Sequence, residues 1–81
     1  MTVKIALFAE AKQITGCEFI DLDVDDEATV GSLKEILADR YPDLVSIMER
    51  STWAVDHEYV GGDKQLYHGA EVGLIPPVSG G

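Results

Sequence analysis

Two segments near the start of the chain alternate between apolar and polar positions. In the first, Val3, Ile5 and Leu7 share one face of an extended segment. In the second, residues 18–24, apolar residues alternate with aspartates. Such alternation is typical of strands with one buried and one solvated face, so we predict two strands that pair as neighbours.

A short helix is predicted between these strands, over residues 9–14. Ala11 and Ile14 stand at helical spacing. Gly16 follows at the position where a left-handed residue commonly ends a helix.

The main helix is predicted to begin after Thr29, which can cap it, and to end before Pro42. Gly31 in its first turn costs about 1 kcal/mol relative to alanine. Burial of one apolar stripe should outweigh that cost. The stripe consists of Val30, Leu33, Ile36, Leu37 and Tyr41.

The rest of the chain completes a mixed α+β pattern. Met48 is expected to fill the core from a short helical turn, and residues 53–56 and 72–75 are predicted strands. A turn is predicted over Val60 and the Gly61-Gly62-Asp63 segment. This order favours a β-grasp (ubiquitin-like) fold, a small mixed sheet with one main helix packed across one face.

Composition narrows the class of partner. The chain has 81 residues, enough for one domain, with 6 Lys plus Arg against 15 Asp plus Glu and a net charge of -9. This charge disfavours nucleic acid and anionic membranes, and suits either a basic protein surface or simple solubility. We expect a cytoplasmic protein, because no signal peptide or membrane span is recognisable.

Side-chain chemistry offers little. Cys17 is the only cysteine, so an internal disulfide or multi-cysteine metal site is excluded, and no cluster marks it as a nucleophile. The spacing of His57 and His68 does not match that of metal ligands, so we expect both to be solvated loop residues. We therefore expect no catalytic side chain and no metal site.

The best functional indication is the final segment, Val78-Ser79-Gly80-Gly81, which follows Pro76-Pro77. Glycine lets a backbone approach another surface closely, so this segment could enter a narrow site on another protein. We expect a body over residues 1–75 and an extended tail over residues 76–81.

These features resemble the small sulfur-carrier proteins of the ubiquitin-like family, and among them the small subunits of molybdopterin synthase. The resemblance covers nearly the whole chain and is strongest in the tail. Asp56, where the family usually has asparagine, and His68-Gly69-Ala70, where an acidic-Gly-Asp turn is common, depart from the family pattern. The residues on which the resemblance rests are Lys4 to Ala9, Ala54 to Asp56, Glu71-Val72 and Pro76 to Gly81.

The resemblance implies a cycle of sulfur carriage. An E1-like enzyme would use ATP to adenylate Gly81, and a persulfide donor would convert it to a thiocarboxylate. Val78, Ser79 and Gly80 would then enter the large catalytic subunit of the synthase, where sulfur passes to a pterin precursor of molybdopterin. The carrier itself would bind no cofactor.

A docking face follows from side-chain parity. Val3, Ile5 and Leu7 lie on one face of the first strand. If that face packs against the helix, Phe8, Phe19 and Ile75 point to the other side of the sheet. We predict a partner interface there, formed by Phe8, Ile75, Pro76 and Pro77; the alternative is scattered surface apolar residues or a minor core.

Three other functions are compatible with the same sequence. The chain could carry sulfur for thiamin or another thiolated product. It could also be a ubiquitin-like modifier whose Gly81 acylates lysines of target proteins. The third alternative is a β-grasp adaptor that binds a partner without using its tail.

Overall fold

The computed structural model of the chain describes residues 1–76. Within that range the chain forms five strands and three helices. The strands are β1 (Thr2–Leu7), β2 (Phe19–Asp23), β3 (Thr52–Val55), β4 (Glu58–Val60) and β5 (Glu71–Ile75). The helices are α1 (Ala9–Thr15), α2 (Val30–Arg40) and α3 (Val45–Arg50), and a 3-10 turn over Pro42–Leu44 precedes α3.

The strands form one mixed sheet in the order β2-β1-β5-β3-β4. β1 runs parallel to β5, and the other neighbouring strands are antiparallel. Helix α2 packs across one face of this sheet. The arrangement confirms the predicted β-grasp fold and the pairing of the first two strands.

The core lies between α2 and one face of the sheet. Val3, Ile5 and Leu7 of β1 are buried together with Leu33 and Leu37 of α2. Among the described residues, no polar or charged residue is buried. The predicted apolar stripe is therefore confirmed, although two of its members are only partly buried, Ile36 and Tyr41.

The start of α2 rests against the loop over residues 61–65. The N–H of Val30 donates to the carbonyl of Lys64 at 3.0 Å, and the N–H of Gly31 donates to that of Gly62 at 2.8 Å. A Cβ at Gly31 would lie 3.2 Å from the Gly62 carbonyl oxygen. Glycine at this position therefore permits a close approach that satisfies two free helix N–H groups.

The predicted turn over Val60 and the following glycines is wrong in part, because Val60 belongs to strand β4. The chain reverses earlier, between β3 and β4, at Asp56 and His57, whose φ angles are 49° and 72°. An Asp56 carboxylate oxygen accepts the N–H of Glu71 at 3.2 Å, and the Asp56 N–H donates to the Glu71 carbonyl. Aspartate thus supplies the acceptor that an asparagine amide oxygen would supply here.

Candidate docking site

The face of the sheet opposite α2, which we call the open face, carries a row of paired residues that crosses all five strands. Ala6 pairs with Phe19 on one side and with Gly73 on the other. Gly73 pairs in turn with Ala54, and Ala54 pairs with Tyr59. Because paired residues point to the same face, three small residues lie between two aromatic side chains.

A second, charged row lies beside this one. Lys4 pairs with Asp21 on β2 and with Glu71 on β5. The imidazole Nε2 of His57 lies 3.6 Å from a carboxylate oxygen of Glu71. The open face therefore changes from apolar to charged along the direction of its strands.

Large apolar side chains lie on the other side of the small residues. Phe8 follows β1 and Ile75 ends β5, and both line the same depression as Phe19 and Tyr59. The depression has a volume of about 520 Å³. Single exposed apolar residues are normal on proteins, but a shared depression lined by several aromatic groups is typical of an interaction surface.

One wall of this depression is held in place by a cation. The ammonium group of Lys4 lies 4.4 Å from the centroid of the Phe19 ring. Nearby, Lys12 Nζ lies 3.5 Å from a carboxylate oxygen of Glu18. Contacts of this kind at exposed sites are worth up to about 1 kcal/mol, so they orient side chains more than they stabilise the fold.

The sequence-based placement of Phe8, Phe19 and Ile75 on one surface is confirmed. Phe8 is 46% and Phe19 48% exposed, while Ile75 and the adjacent Pro76 are half-buried. Strand β5 ends at Ile75, which is the last residue of the predicted body. The remaining predicted site residues, Pro77, Val78, Ser79, Gly80 and Gly81, lie outside the described residues.

Sequence reasoning missed Tyr59 and the small residues at the centre of the depression. Tyr59 is 74% exposed, and it was not assigned to a face because the short strand β4 merges with the glycines after Val60. The alternation of Glu58, Tyr59 and Val60 was the available signal. The alignment of small residues depends on register between distant strands, which local sequence does not encode.

The residues with reactive side chains lie apart from one another. Cys17 is exposed, and its thiol lies 3.6 Å from the Thr15 carbonyl oxygen. His68 accepts the N–H of Thr2 through Nδ1 at 3.1 Å, whereas His57 lies beside Glu71. Over residues 1–76, no three His, Cys, Asp or Glu residues are grouped to hold a metal ion.

None of the helices formed by the described residues has the length and hydrophobicity needed to cross a bilayer.

Comparison with known proteins gives consistent results at the level of sequence. A profile of the ThiS family matches residues 5–81. The molybdopterin synthase sulfur carrier subunit of Dictyostelium discoideum is 42% identical, over 96% of this chain and 94% of that protein. The protein of the same name from Caenorhabditis briggsae is 35% identical, over 100% of this chain and 99% of that protein.

Comparison of structures supports the same relationship. The crystal structure of SAMP1 from Haloferax volcanii matches with a TM-score of 0.89 and 28% identity, covering 100% of both chains. The β-grasp architecture is therefore shared along the whole chain. Because the family profile leaves out only residues 1–4 and the relatives match along nearly their full length, the chain belongs to the ThiS family.

Proposed function

We propose that this chain is the sulfur-carrying small subunit of a molybdopterin synthase. The observation that supports this most directly is its 42% identity, over 96% of its length, to a protein named molybdopterin synthase sulfur carrier subunit. The match of the family profile through Gly81 supports a role for the Gly-Gly tail. In this proposal the protein is not an enzyme by itself.

The reacting group is the carboxylate of Gly81. A carboxylate is a poor electrophile, so an E1-like partner first joins it to AMP and consumes ATP. The terminal sulfur of a donor persulfide then displaces AMP and forms an acyl disulfide. A thiol of the partner protein cleaves its S–S bond, which releases the thiocarboxylate and leaves a disulfide on the partner. All of the catalytic groups for these steps belong to partner proteins.

Delivery of the sulfur depends on the tail. In this proposal Val78, Ser79 and Gly80, from the tail over residues 76–81, enter a channel of the large synthase subunit. Extended residues span about 3.3 to 3.6 Å each, so the four residues from Val78 to Gly81 reach roughly 13 Å. Phe8, Ile75, Pro76 and Pro77 dock against the same partner and fix the origin of the tail.

Intact-mass spectrometry tests this proposal. The full-length chain is incubated with ATP, the activating enzyme and a persulfide donor, and the product is fragmented from its C-terminus. We expect one oxygen to be replaced by sulfur, with the change mapped to Gly81. A chain lacking Gly81 serves as the control and should remain unmodified.

Two results would overturn the proposal. One is an unmodified carboxylate in the complete reaction. The other is a chain lacking Gly81 that still supports molybdopterin synthesis with the large subunit. Thiocarboxylate formation followed by transfer to a different acceptor would instead indicate a carrier for another thiolated product.

A modifier function is the second candidate. The observation that favours it is the fold shared over the full chain with SAMP1, whose name is small archaeal modifier protein 1. In that case Gly81 forms an amide with lysine side chains of target proteins. Target lysines joined by an isopeptide bond to the C-terminal peptide of this chain, recovered from cell extract after protease digestion, would distinguish this function from sulfur carriage.

A further inference from the structure

The residues that form the floor of the depression on the open face have small side chains or none. Gly73 lies at its centre, between Ala6 and Ala54 on the neighbouring strands. A Cβ at Gly73 would have as its nearest neighbour the Cδ1 atom of Ile75, at 3.2 Å, and would meet no core residue. A larger side chain at position 73 would therefore enter the depression and displace the Ile75 side chain slightly.

Large side chains form the walls around this floor. Phe19 and Tyr59 close its two ends across the strands, while Phe8 and Ile75 border it on the side of the tail. Its volume of about 520 Å³ is many times the roughly 30 Å³ that one water molecule occupies in the liquid. The shape is that of a socket rather than of a flat patch.

We infer that this depression is a socket for a large aliphatic or aromatic side chain of the partner proteins that take up the tail, and that Gly73 keeps it open. The inference rests on the proposed function and adds a determinant of partner recognition. The socket is continuous with the tail, because Ile75 lines it and the chain leaves the sheet at the next residue. A protein that binds the tail therefore lies close enough to contact the socket.

Charge favours a different protein over a second copy of this chain. The chain carries a net charge of -9, and around the open face the carboxylates of Asp21, Glu71 and Glu18 outnumber the ammonium groups of Lys4 and Lys12. Two copies docked face to face would each bring this excess of negative charge, which is unfavourable. We accordingly expect the inserted side chain to lie beside a basic group of the partner.

Substitution of Gly73 by valine tests the socket directly. The variant fills the floor, and valine is well accommodated in strands. Isothermal titration of the full-length chain with the large synthase subunit, and separately with the activating enzyme, should show affinity at least about tenfold weaker, because a filled pocket excludes its anchor. Thermal unfolding should show that the fold is retained.

Gly62→Val is the matched control. It makes the same chemical change in the loop beside α2, where an added Cβ meets no atom within 4 Å. This variant should bind both partners as the unsubstituted chain does. If Gly73→Val does not fold, Tyr59→Ala tests the same socket, because Tyr59 is largely exposed and its loss removes one wall.

The outcomes separate this inference from the proposed function. If the unsubstituted chain forms a thiocarboxylate, and both Gly73→Val and Tyr59→Ala bind as tightly as it does, the socket is wrong and sulfur carriage stands. If the chain binds neither protein and forms no thiocarboxylate, both the socket and the proposed sulfur-carrier function are wrong. A chain that self-associates, and becomes monomeric in Gly73→Val with partner affinity unchanged, would assign the socket to a second copy and overturn the inference.

Discussion

At the scale of single residues, the turn between β3 and β4 shows a conflict between sequence and backbone. Asp56 and His57 both have positive φ, a region that glycine adopts freely and that residues with a side chain adopt at a steric cost. Asp56 is held there by its two hydrogen bonds to Glu71. The imidazole of His57 is 90% exposed and lies 3.6 Å from the Glu71 carboxylate, so this contact brings little compensation.

His57→Gly should therefore stabilise the protein. Glycine removes the steric cost of a side chain in the left-handed region, about 1–2 kcal/mol, although it also adds freedom to the unfolded chain. We expect a net gain of about 0.5–1 kcal/mol in the free energy of unfolding, measured by urea denaturation.

His57→Ala distinguishes backbone strain from the loss of the imidazole. Alanine keeps the Cβ at φ 72° but removes the contact with Glu71. Its stability should stay within roughly 0.5 kcal/mol of the unsubstituted chain. A gain as large as that of the glycine variant would attribute the effect to the imidazole instead.

At the scale of elements, the sequence predicts where helix α2 begins. It does not predict the loop that supports this end of the helix. The Thr29 hydroxyl accepts the N–H of Ser32 at 3.2 Å, and the Ser32 hydroxyl accepts the N–H of Thr29 at 3.3 Å. This capping box confirms Thr29 as the predicted cap. The contact of Gly31 with the loop over residues 61–65 brings together segments about thirty positions apart, and no local pattern reveals it.

Thr29→Ala should lower the free energy of unfolding by about 1 kcal/mol, because alanine lacks the hydroxyl that accepts the N–H of Ser32, while the backbone N–H at position 29 can still donate to the Ser32 hydroxyl. Urea denaturation at equilibrium measures the change. Ser46→Ala is the control, since Ser46 is exposed within α3 and alanine is a better helix former. An equal loss in both variants would mean that the cap contributes nothing specific.

Element boundaries could be predicted wherever one face of an element is buried. The alternation of Val3, Ile5 and Leu7 fixes β1, and their burial confirms it. Strand β4 was missed because it has only three residues, and its two neighbours in sequence are a turn and a glycine-rich loop. Its pairing with β3 stabilises it, which is a tertiary rather than a local effect.

At the scale of the whole molecule, the two faces of the sheet serve different purposes. One face is covered by α2 and forms the core. The open face exposes aromatic side chains beside a charged row and lies next to the point where the chain leaves β5. A partner that binds the tail can therefore contact this face at the same time.

Phe8→Asp should weaken binding to the large synthase subunit by about tenfold or more while the melting temperature hardly changes. A buried aspartate at an interface loses its hydration without gaining a partner. Tyr67→Asp is a matched control, because Tyr67 is 47% exposed, like Phe8 at 46%, but does not line the depression. Unchanged affinity in Phe8→Asp, or an equal loss in Tyr67→Asp, would contradict the placement of the docking face.

The net charge of -9 should govern the rate of association more than the lifetime of the complex. If the partner presents a basic surface, the association rate should fall about tenfold between roughly 0.02 and 0.3 M salt, because ions screen long-range attraction. Stopped-flow mixing measures this rate. An association rate independent of salt would make the acidic surface a solubility feature only.

The sequence by itself determined the fold class, the cap of α2, the buried stripe and the Gly-Gly tail. Each of these depends on a local period or a local residue type, such as the alternation through Ile5 or the hydroxyl of Thr29. Only the tertiary structure decided that Ala6, Gly73 and Ala54 align across three strands to form the floor of a socket. Strand register and the close approach at Gly31 arise from packing between distant segments, and that packing is a property of the folded chain as a whole.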